Sequence, residues 1–211
     1  MICAVVFDMD GVLIDAKEWH FEALNKALSL FGCEISRYDH LITYDGLSTS
    51  DKLKMLTLQK GLPKKLHSFI NTLKQDYTMN IVYDRLRPSF IHEYALSRLQ
   101  SEGYRLVVAS NSVRETVDVM MKKSGLSNFI EFFLSNQDVI RSKPDPEIYN
   151  LAISKLGLKP EECLIIEDNA YGIKAARASG GYVMEVTSVH DVYYQNIISH
   201  IQKINVQEAS I

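Results

Sequence analysis

The sequence predicts an α/β fold, a doubly wound, Rossmann-like parallel sheet with a small helical domain inserted after the first strand. Short apolar runs alternate along the chain with segments of helical periodicity, which is typical of a parallel sheet covered by helices on both faces. Residues 8–104 separate the first apolar run from the second, although a crossover helix needs only about a dozen residues. Polar residues follow several of the runs, where a parallel sheet places its ligands.

Five apolar runs predict the strands. They are too short for most helices and are bounded by polar or turn-forming residues. The runs are 1–7, 105–109, 131–134, 163–166 and 181–186.

Helix signals lie between the later runs. Ser112 and Glu115 form a capping-box pattern that predicts a helix start. Asp145 followed by Pro146 predicts a cap and a first helical residue ahead of residues 147–156. Two glycines end a predicted helix at 170–179, and residues 89–100 predict a helix that leads back to the sheet.

The long interval after the first run predicts the inserted domain. Residues 17–31, 49–60 and 63–83 carry helical periodicity without a clear strand pattern. We therefore expect an α/β core formed by residues 1–15 and 87–211, and a helical cap domain formed by residues 16–86.

Composition favours small-molecule chemistry. The chain has 211 residues, 46% of them hydrophobic, with 23 basic and 26 acidic residues and a net charge of -3. Such a balance lacks the basic character of a nucleic-acid-binding protein. No run approaches the roughly 20 apolar residues that span a membrane, and the three cysteines are scattered. We expect no nucleic-acid or membrane partner, a cytoplasmic location, and a monomer by default.

Two acids follow the first run, Asp8 and Asp10, just before Gly11. A single aspartate in this place would most simply form a turn. Two acids at the carboxyl end of a buried strand are better candidates for a ligand site.

Further polar groups follow the other strands. Ser110 and Asn111 precede a helix N-terminus, which favours an anion such as phosphate. Lys143 lies in a segment stiffened by two prolines, and Glu167 with Asp168 follows a strongly apolar run. Paired buried acids need a neutralising cation, and an oxygen-rich set without His or Cys suits Mg²⁺. These are the parts that phosphoryl transfer requires.

Four segments in order resemble the haloacid dehalogenase superfamily of phosphatases, mutases and dehalogenases. They are DMDGVLID at 8–15, ASNS at 109–112, SKPDPEIY at 142–149 and IIEDNAYGIKAARASG at 165–180. The insertion point resembles the helical-cap branch, to which beta-phosphoglucomutase and many sugar-phosphate phosphatases belong. The resemblance implies a first strand that lies between the second and the fourth.

The resemblance also implies roles for individual residues. Asp8 would be the nucleophile that forms an aspartyl phosphate, and Asp10 would protonate the leaving oxygen and later activate water. Ser110, with Asn111, would bind the phosphoryl group, and Lys143 would neutralise charge between that group and Asp8. Mg²⁺ would be held by Asp8, the backbone carbonyl of Asp10, and Asp168, with Glu167 binding directly or through water.

The reaction expected from these site residues is hydrolysis of a small phosphorylated metabolite, with the cap domain as a lid. A phosphomutase of the beta-phosphoglucomutase type is the alternative, because Trp19-His20 and Gly46-Leu47-Ser48 resemble segments of that enzyme. The mutase has an arginine where this chain has Thr49, and that arginine grips a second phosphate.

The loss of this grip favours a phosphatase. His20 and Lys74 are candidate substrate-binding residues, although a packing role for the histidine and a surface charge for the lysine are equally consistent with the sequence. A dehalogenase would not need Asp10 or the pair Glu167 and Asp168, and a noncatalytic binding domain would be expected to have lost a member of the site.

Overall fold

The computed structural model describes residues 1–44 and 47–208. The chain forms two compact units, one made of Met1–Asp15 with the chain from Arg87 onward, and the other of Ala16–Leu86. Within the described ranges, every helix is too short or too polar to span a bilayer. The three cysteines are free thiols.

The first unit is built on a five-stranded parallel sheet with the order β3-β2-β1-β4-β5. The predicted fold class is confirmed, and the first strand lies between the second and the fourth. The strands are β1 Ala4–Phe7, β2 Arg105–Ala109, β3 Phe132–Leu134, β4 Cys163–Glu167 and β5 Tyr182–Glu185.

Helices cover both faces of this sheet, which explains why β1 and residues 163–166 of β4 are continuous apolar runs. Alternate side chains of a strand point to opposite faces, so Ala4 and Val6 pack with buried residues of α7 and α8 in one core cluster. Helices α5 and α9 pack against each other. The helices of this unit are α5 Phe90–Ser101, α6 Arg114–Lys123, α7 Glu147–Leu156, α8 Ala170–Ala178 and α9 Tyr194–Glu208.

The second unit is helical, and its residues described at 16–44 and 47–86 include no strand. Its elements are α1 Lys17–Ser29, α2 Arg37–Asp39, a π-helical turn His40–Tyr44, α3 Thr49–Lys60, a 3-10 turn Lys64–Leu66 and α4 His67–Arg85. Leu28, Leu56 and Ile70 belong to its apolar core. The side chain of Asn25 binds the backbone of Ile35 through both of its polar atoms, at 2.7 and 2.8 Å, which fixes the chain after α1.

Two predicted N-caps are wrong. The N-cap of α6 is Val113, without a side-chain hydrogen bond, rather than Ser112. The hydroxyl of Ser112 instead binds an acid that is remote in sequence, as described below. Helix α7 spans the predicted residues Glu147–Leu156, but its N-cap is Pro146 and not Asp145, although Asp145 Oδ1 accepts from the Glu147 N–H at 3.1 Å.

Candidate active site

The carboxyl ends of β2, β1 and β4 lie side by side in the sheet, because these three strands are neighbours. Phe7 is paired with Val108 on one side and with Ile166 on the other. Asp8 therefore follows the central strand at the edge of the sheet where Ser110 follows β2 and Glu167 ends β4. This is where an open α/β sheet binds its ligands.

The turn after β1 holds its two acids on rigid backbone. The Asp8 N–H donates to the Ile166 carbonyl at 3.0 Å, which extends the ladder by one residue. The Met9 carbonyl then accepts from the Ile14 N–H at 2.9 Å, and the Gly11 N–H donates to the Ile14 carbonyl at 2.7 Å. Gly11 has a φ of 95°, a conformation that other residues rarely adopt. A glycine is thus required directly after the pair.

Lys143 is buried beside Asp8. Its Nζ lies 2.5 Å from Asp8 Oδ1, 2.7 Å from Glu167 Oε1 and 2.9 Å from the Ala109 carbonyl. The ammonium group has three N–H donors, and this arrangement uses all of them. The backbone N–H of Lys143 also donates to Asn111 Oδ1 at 3.3 Å. The structure therefore brings the segments around Asp8, Asn111, Lys143 and Glu167 to one place.

Glu167 is fully buried, and both of its carboxylate oxygens accept hydrogen bonds. Oε1 accepts from Lys143 and from the Tyr149 hydroxyl at 2.7 Å. Oε2 accepts from the Asp168 N–H at 3.0 Å and from the Asn169 side chain at 3.2 Å. Asn169 also caps α8 through the Gly172 N–H. The carboxylate is thereby fixed at the N-terminus of a helix, where negative charge is stabilised.

Tyr149 is a site residue that the sequence analysis missed. It is fully buried on α7, its ring centroid lies 4.7 Å from Lys143 Nζ, and burial raises its pKa, which keeps the hydroxyl protonated as a donor. Its position in SKPDPEIY, six residues after Lys143, was the available signal. Nothing in the local pattern identified Glu167 as its partner.

Burial and mutual charge shift the pKa values of the central pair. Burial raises the pKa of the Asp8 carboxyl well above its ordinary value, the Lys143 ammonium opposes that effect, and the neighbouring acids Glu167, Asp168 and Asp10 add to it. Burial alone would lower the pKa of Lys143, but the carboxylates of Asp8 and Glu167 raise it above its ordinary value. The lysine is therefore charged, and one positive charge faces several acids.

The donor set fits a hard divalent cation. Carboxylate oxygens of Asp8, Glu167 and Asp168 all lie within 4.8 Å of one another. Mg²⁺ prefers oxygen ligands of this kind together with water and substrate phosphate. A second positive charge would also offset the acids that Lys143 leaves uncompensated. Asp10 is not part of this group of side chains, and its contribution through the backbone carbonyl stays a prediction.

The loop after β2 links the phosphate-binding candidates to Asp10. Ser110 is buried, and its Oγ accepts from the Ser112 N–H at 3.0 Å. The Ser112 hydroxyl donates to Asp10 Oδ2 at 2.8 Å. Ser112, assigned from sequence to a capping role alone, is thus a second site residue that the sequence analysis missed.

The other two predicted site residues lie together in the helical unit. Lys74, which is buried, has its Nζ 3.1 Å from His20 Nδ1. Since an ammonium group can only donate, Nδ1 is the acceptor and a neutral His20 carries its proton on Nε2. The role of both residues toward a substrate stays a prediction. Gly46, in the segment that resembles the mutase, lies outside the described residues, while Ser48 caps α3 through the Asp51 N–H.

Comparisons with known proteins identify similar chains. The family model for haloacid dehalogenase-like hydrolases matches residues 5–186. The Pyrophosphatase PpaX of Bacillus velezensis is 27% identical over 189 residues, which cover 85% of this chain and 80% of that protein. The Phosphorylated carbohydrates phosphatase of Thermotoga maritima is 25% identical over 177 residues, with 84% and 81% covered.

A solved structure shares the fold. The crystal structure of beta-phosphoglucomutase from Clostridium difficile superposes with a TM-score of 0.84 and covers 100% of both chains, at 20% identity. At this level of identity the likeness concerns the fold.

Proposed function

The chain belongs to the haloacid dehalogenase-like hydrolases, and from that membership we propose that it is a Mg²⁺-dependent phosphatase that hydrolyses a small phosphorylated metabolite through an aspartyl phosphate on Asp8. The observation that carries the proposal is the contact between Asp8 and Lys143 at the carboxyl end of the central strand, 2.5 Å between Oδ1 and Nζ. A carboxylate held in this way can attack a phosphorus atom.

The proposed roles are those that the resemblance to the family implies, and the contacts of Lys143 support its part in them. Lys143 keeps Asp8 in place and offsets its charge while the phosphoryl group approaches. Asp8 then forms the new bond to phosphorus, and Asp10 gives a proton to the leaving oxygen. Asp10 later takes a proton from the water that releases phosphate, so one residue acts in both halves of the reaction. Ser110 and Asn111 bind the phosphoryl oxygens.

We propose that Asp8, Asp168 and the backbone carbonyl of Asp10 hold Mg²⁺. Glu167 has both oxygens engaged by protein donors, which favours its contribution through water. When bound, Mg²⁺ supplies positive charge that offsets the repulsion between a carboxylate and a phosphate dianion.

The named relatives support phosphorylated small molecules as the substrate class, because one is a pyrophosphatase and another a phosphatase of phosphorylated carbohydrates. We propose that the unit Ala16–Leu86 acts as the cap domain that sets the choice among such compounds, with His20 and Lys74 as its candidate residues. Thr49, in place of the arginine of the mutase, favours water over a sugar as the final acceptor. Asp10 and the acid cluster argue against a dehalogenase.

The proposal is tested by measuring phosphate release from a panel of phosphate monoesters and pyrophosphate with Mg²⁺ and with EDTA. Asp8→Asn serves as the blank, and β-glucose 1-phosphate with a trace of glucose bisphosphate is included in the panel. Release of free phosphate that requires both Mg²⁺ and Asp8 supports a phosphatase. Formation of glucose 6-phosphate without release of phosphate would instead establish the mutase.

A further inference from the structure

The Ser112 side chain makes a hydrogen bond that its position just before α6 does not explain. Its hydroxyl donates to Asp10 Oδ2 at 2.8 Å, across 102 positions of the chain. The hydroxyl is not used to cap α6, because Val113 is the N-cap and makes no side-chain hydrogen bond. The local role that a serine usually fills before a helix is therefore absent.

The backbone of Ser112 is held from both sides. Its N–H donates to Ser110 Oγ at 3.0 Å, and its carbonyl accepts from the Asn136 N–H at 3.1 Å. Ser110 is in turn fixed by its own N–H, which donates to the Leu134 carbonyl at 3.0 Å. A short side chain on such a fixed backbone can reach only a small region, and here that region contains the carboxyl group of Asp10.

We propose that Ser112 is the positioning residue for Asp10, and that its hydrogen bond holds the Asp10 carboxyl group in the orientation in which that group exchanges protons with the substrate and with water. The inference rests on the proposed function, in which Asp10 acts as acid and then as base.

A hydroxyl group suits both halves of the reaction. It donates to Oδ2 of the Asp10 carboxylate, and it can still donate when the acid carries its proton on the other oxygen, because Oδ2 is then a carbonyl oxygen that accepts. Alanine and valine have no such donor. Ser112 differs in this from the buried Ser110, whose Oγ accepts a hydrogen bond from the backbone N–H of Ser112.

The test uses the pair Ser112→Thr and Ser112→Val, which are alike in size and differ in the hydroxyl group. The kcat/KM of each variant is measured on p-nitrophenyl phosphate, whose leaving group needs little help from an acid, and on an alkyl phosphate, whose leaving group needs a proton. For Ser112→Val we expect a loss of about 10- to 100-fold on the alkyl ester, less than the roughly 10²- to 10⁴-fold worth of a general acid itself. The loss on the aryl ester should be several-fold smaller.

A second readout follows the later half of the reaction. With p-nitrophenyl phosphate, Ser112→Val should still form the aspartyl phosphate but hydrolyse it slowly, since Asp10 is then needed as a base. A burst of p-nitrophenol that approaches one equivalent per protein chain is the expected signature. Ser112→Thr should restore the kinetics of the unaltered enzyme.

Two controls separate positioning from a general loss of structure. Ser101→Ala makes a comparable change at an exposed site, where the hydroxyl donates to the Arg98 carbonyl, and should leave the kcat/KM on both esters unchanged. In an Asp10→Asn background, Ser112→Val should cause little further loss, because both changes act through one group.

The inference would be overturned if Ser112→Val lowered kcat/KM equally on both esters or on neither. It would also be overturned if Ser112→Thr had no more activity on the alkyl ester than Ser112→Val. Full additivity with Asp10→Asn would overturn it as well. An unaltered enzyme that releases no phosphate from any ester would instead overturn the proposed function.

Discussion

The Glu167 carboxylate lies so close to Gly172 that a side chain at position 172 has no room. A Cβ atom at position 172 would lie 1.8 Å from Glu167 Oε1 and 2.3 Å from Oε2. In an ordinary helix interior, glycine to alanine stabilises by about 1 kcal/mol. Here the methyl group would displace a carboxylate that Lys143, Tyr149 and the Asp168 N–H all bind.

Gly172→Ala is therefore expected to lower the free energy of unfolding, by about 1–3 kcal/mol as for other overpacked sites, and to reduce kcat. Urea denaturation and phosphate release measure the two effects. A variant that is more stable than the parent and fully active would show that Glu167 can move without consequence.

Lys143→Met removes the cation that binds Asp8 and Glu167. Both acids are buried, so the loss should lower the free energy of unfolding by about 3–5 kcal/mol, as when one partner of a buried ion pair is removed. Lys122→Met is the matched control, because Lys122 pairs with Asp118 at the surface and such pairs contribute about 0–1 kcal/mol.

Adding Glu167→Gln to Lys143→Met should recover part of the lost stability, since one uncompensated charge is then removed. Urea denaturation in EDTA keeps metal out of this comparison. If Lys143→Met and Lys122→Met were equally stable, the buried lysine would not be the group that holds the acids together.

Mg²⁺ that binds the acid cluster of the folded protein should raise its stability, by an amount that grows with the logarithm of the Mg²⁺ concentration above the Kd. At a concentration 100 times its Kd, a ligand of the folded state adds about 2.7 kcal/mol, which appears as a rise in Tm. Asp168→Asn is expected to reduce this rise and the activity together, whereas the exposed Asp76→Asn should leave both unchanged. An equal rise in Tm for Asp168→Asn would place the metal elsewhere.

His92 makes the stability of the core dependent on pH. It is buried, its Nε2 lies 2.9 Å from the Val189 carbonyl, and burial lowers its pKa. Between that lowered value and the ordinary value of about 6.5, the unfolded chain binds more protons than the folded one. Stability is therefore lost as pH falls below about 6.5.

His92→Gln keeps a donor for the Val189 carbonyl but cannot titrate. We expect the pH dependence of the free energy of unfolding between pH 7.5 and 5 to weaken, by at most about 1.4 kcal/mol per pH unit, the limit for one proton. Urea denaturation across this range measures the difference. An unchanged dependence would assign the acid sensitivity to other groups.

Much of the fold was predictable because its signals are local. The strand Arg105–Ala109 and the helix Thr49–Lys60 begin and end at the predicted residues, since apolar runs and end signals define both. Helix α9 was not predicted, although Ile197, Ile201 and Ile204 are buried at helical spacing. The π-helical turn His40–Tyr44 had no recognisable signal.

The candidate site was predictable where a residue's type and strand-end position suffice. Asp8, Lys143 and Glu167 were singled out in this way, and the structure brings them into contact. Ser112 was misinterpreted because its capping-box pattern is local, whereas its partner Asp10 is remote in sequence. Tyr149 and Gly172 matter only through the position of the Glu167 carboxylate, which no one-dimensional pattern contains.

The central claim is that Asp8 carries the phosphoryl group. The most direct measurement is rapid acid quench of the enzyme during turnover of p-nitrophenyl phosphate, followed by mass spectrometry of the peptide that contains Asp8. Asp10→Asn, expected to slow turnover by roughly 10² to 10⁴, should make the intermediate accumulate.

We expect the mass of one phosphoryl group on Asp8, and neither that mass nor turnover in Asp8→Asn. An Asp8→Asn enzyme that remains active and forms no covalent phosphate would contradict the account.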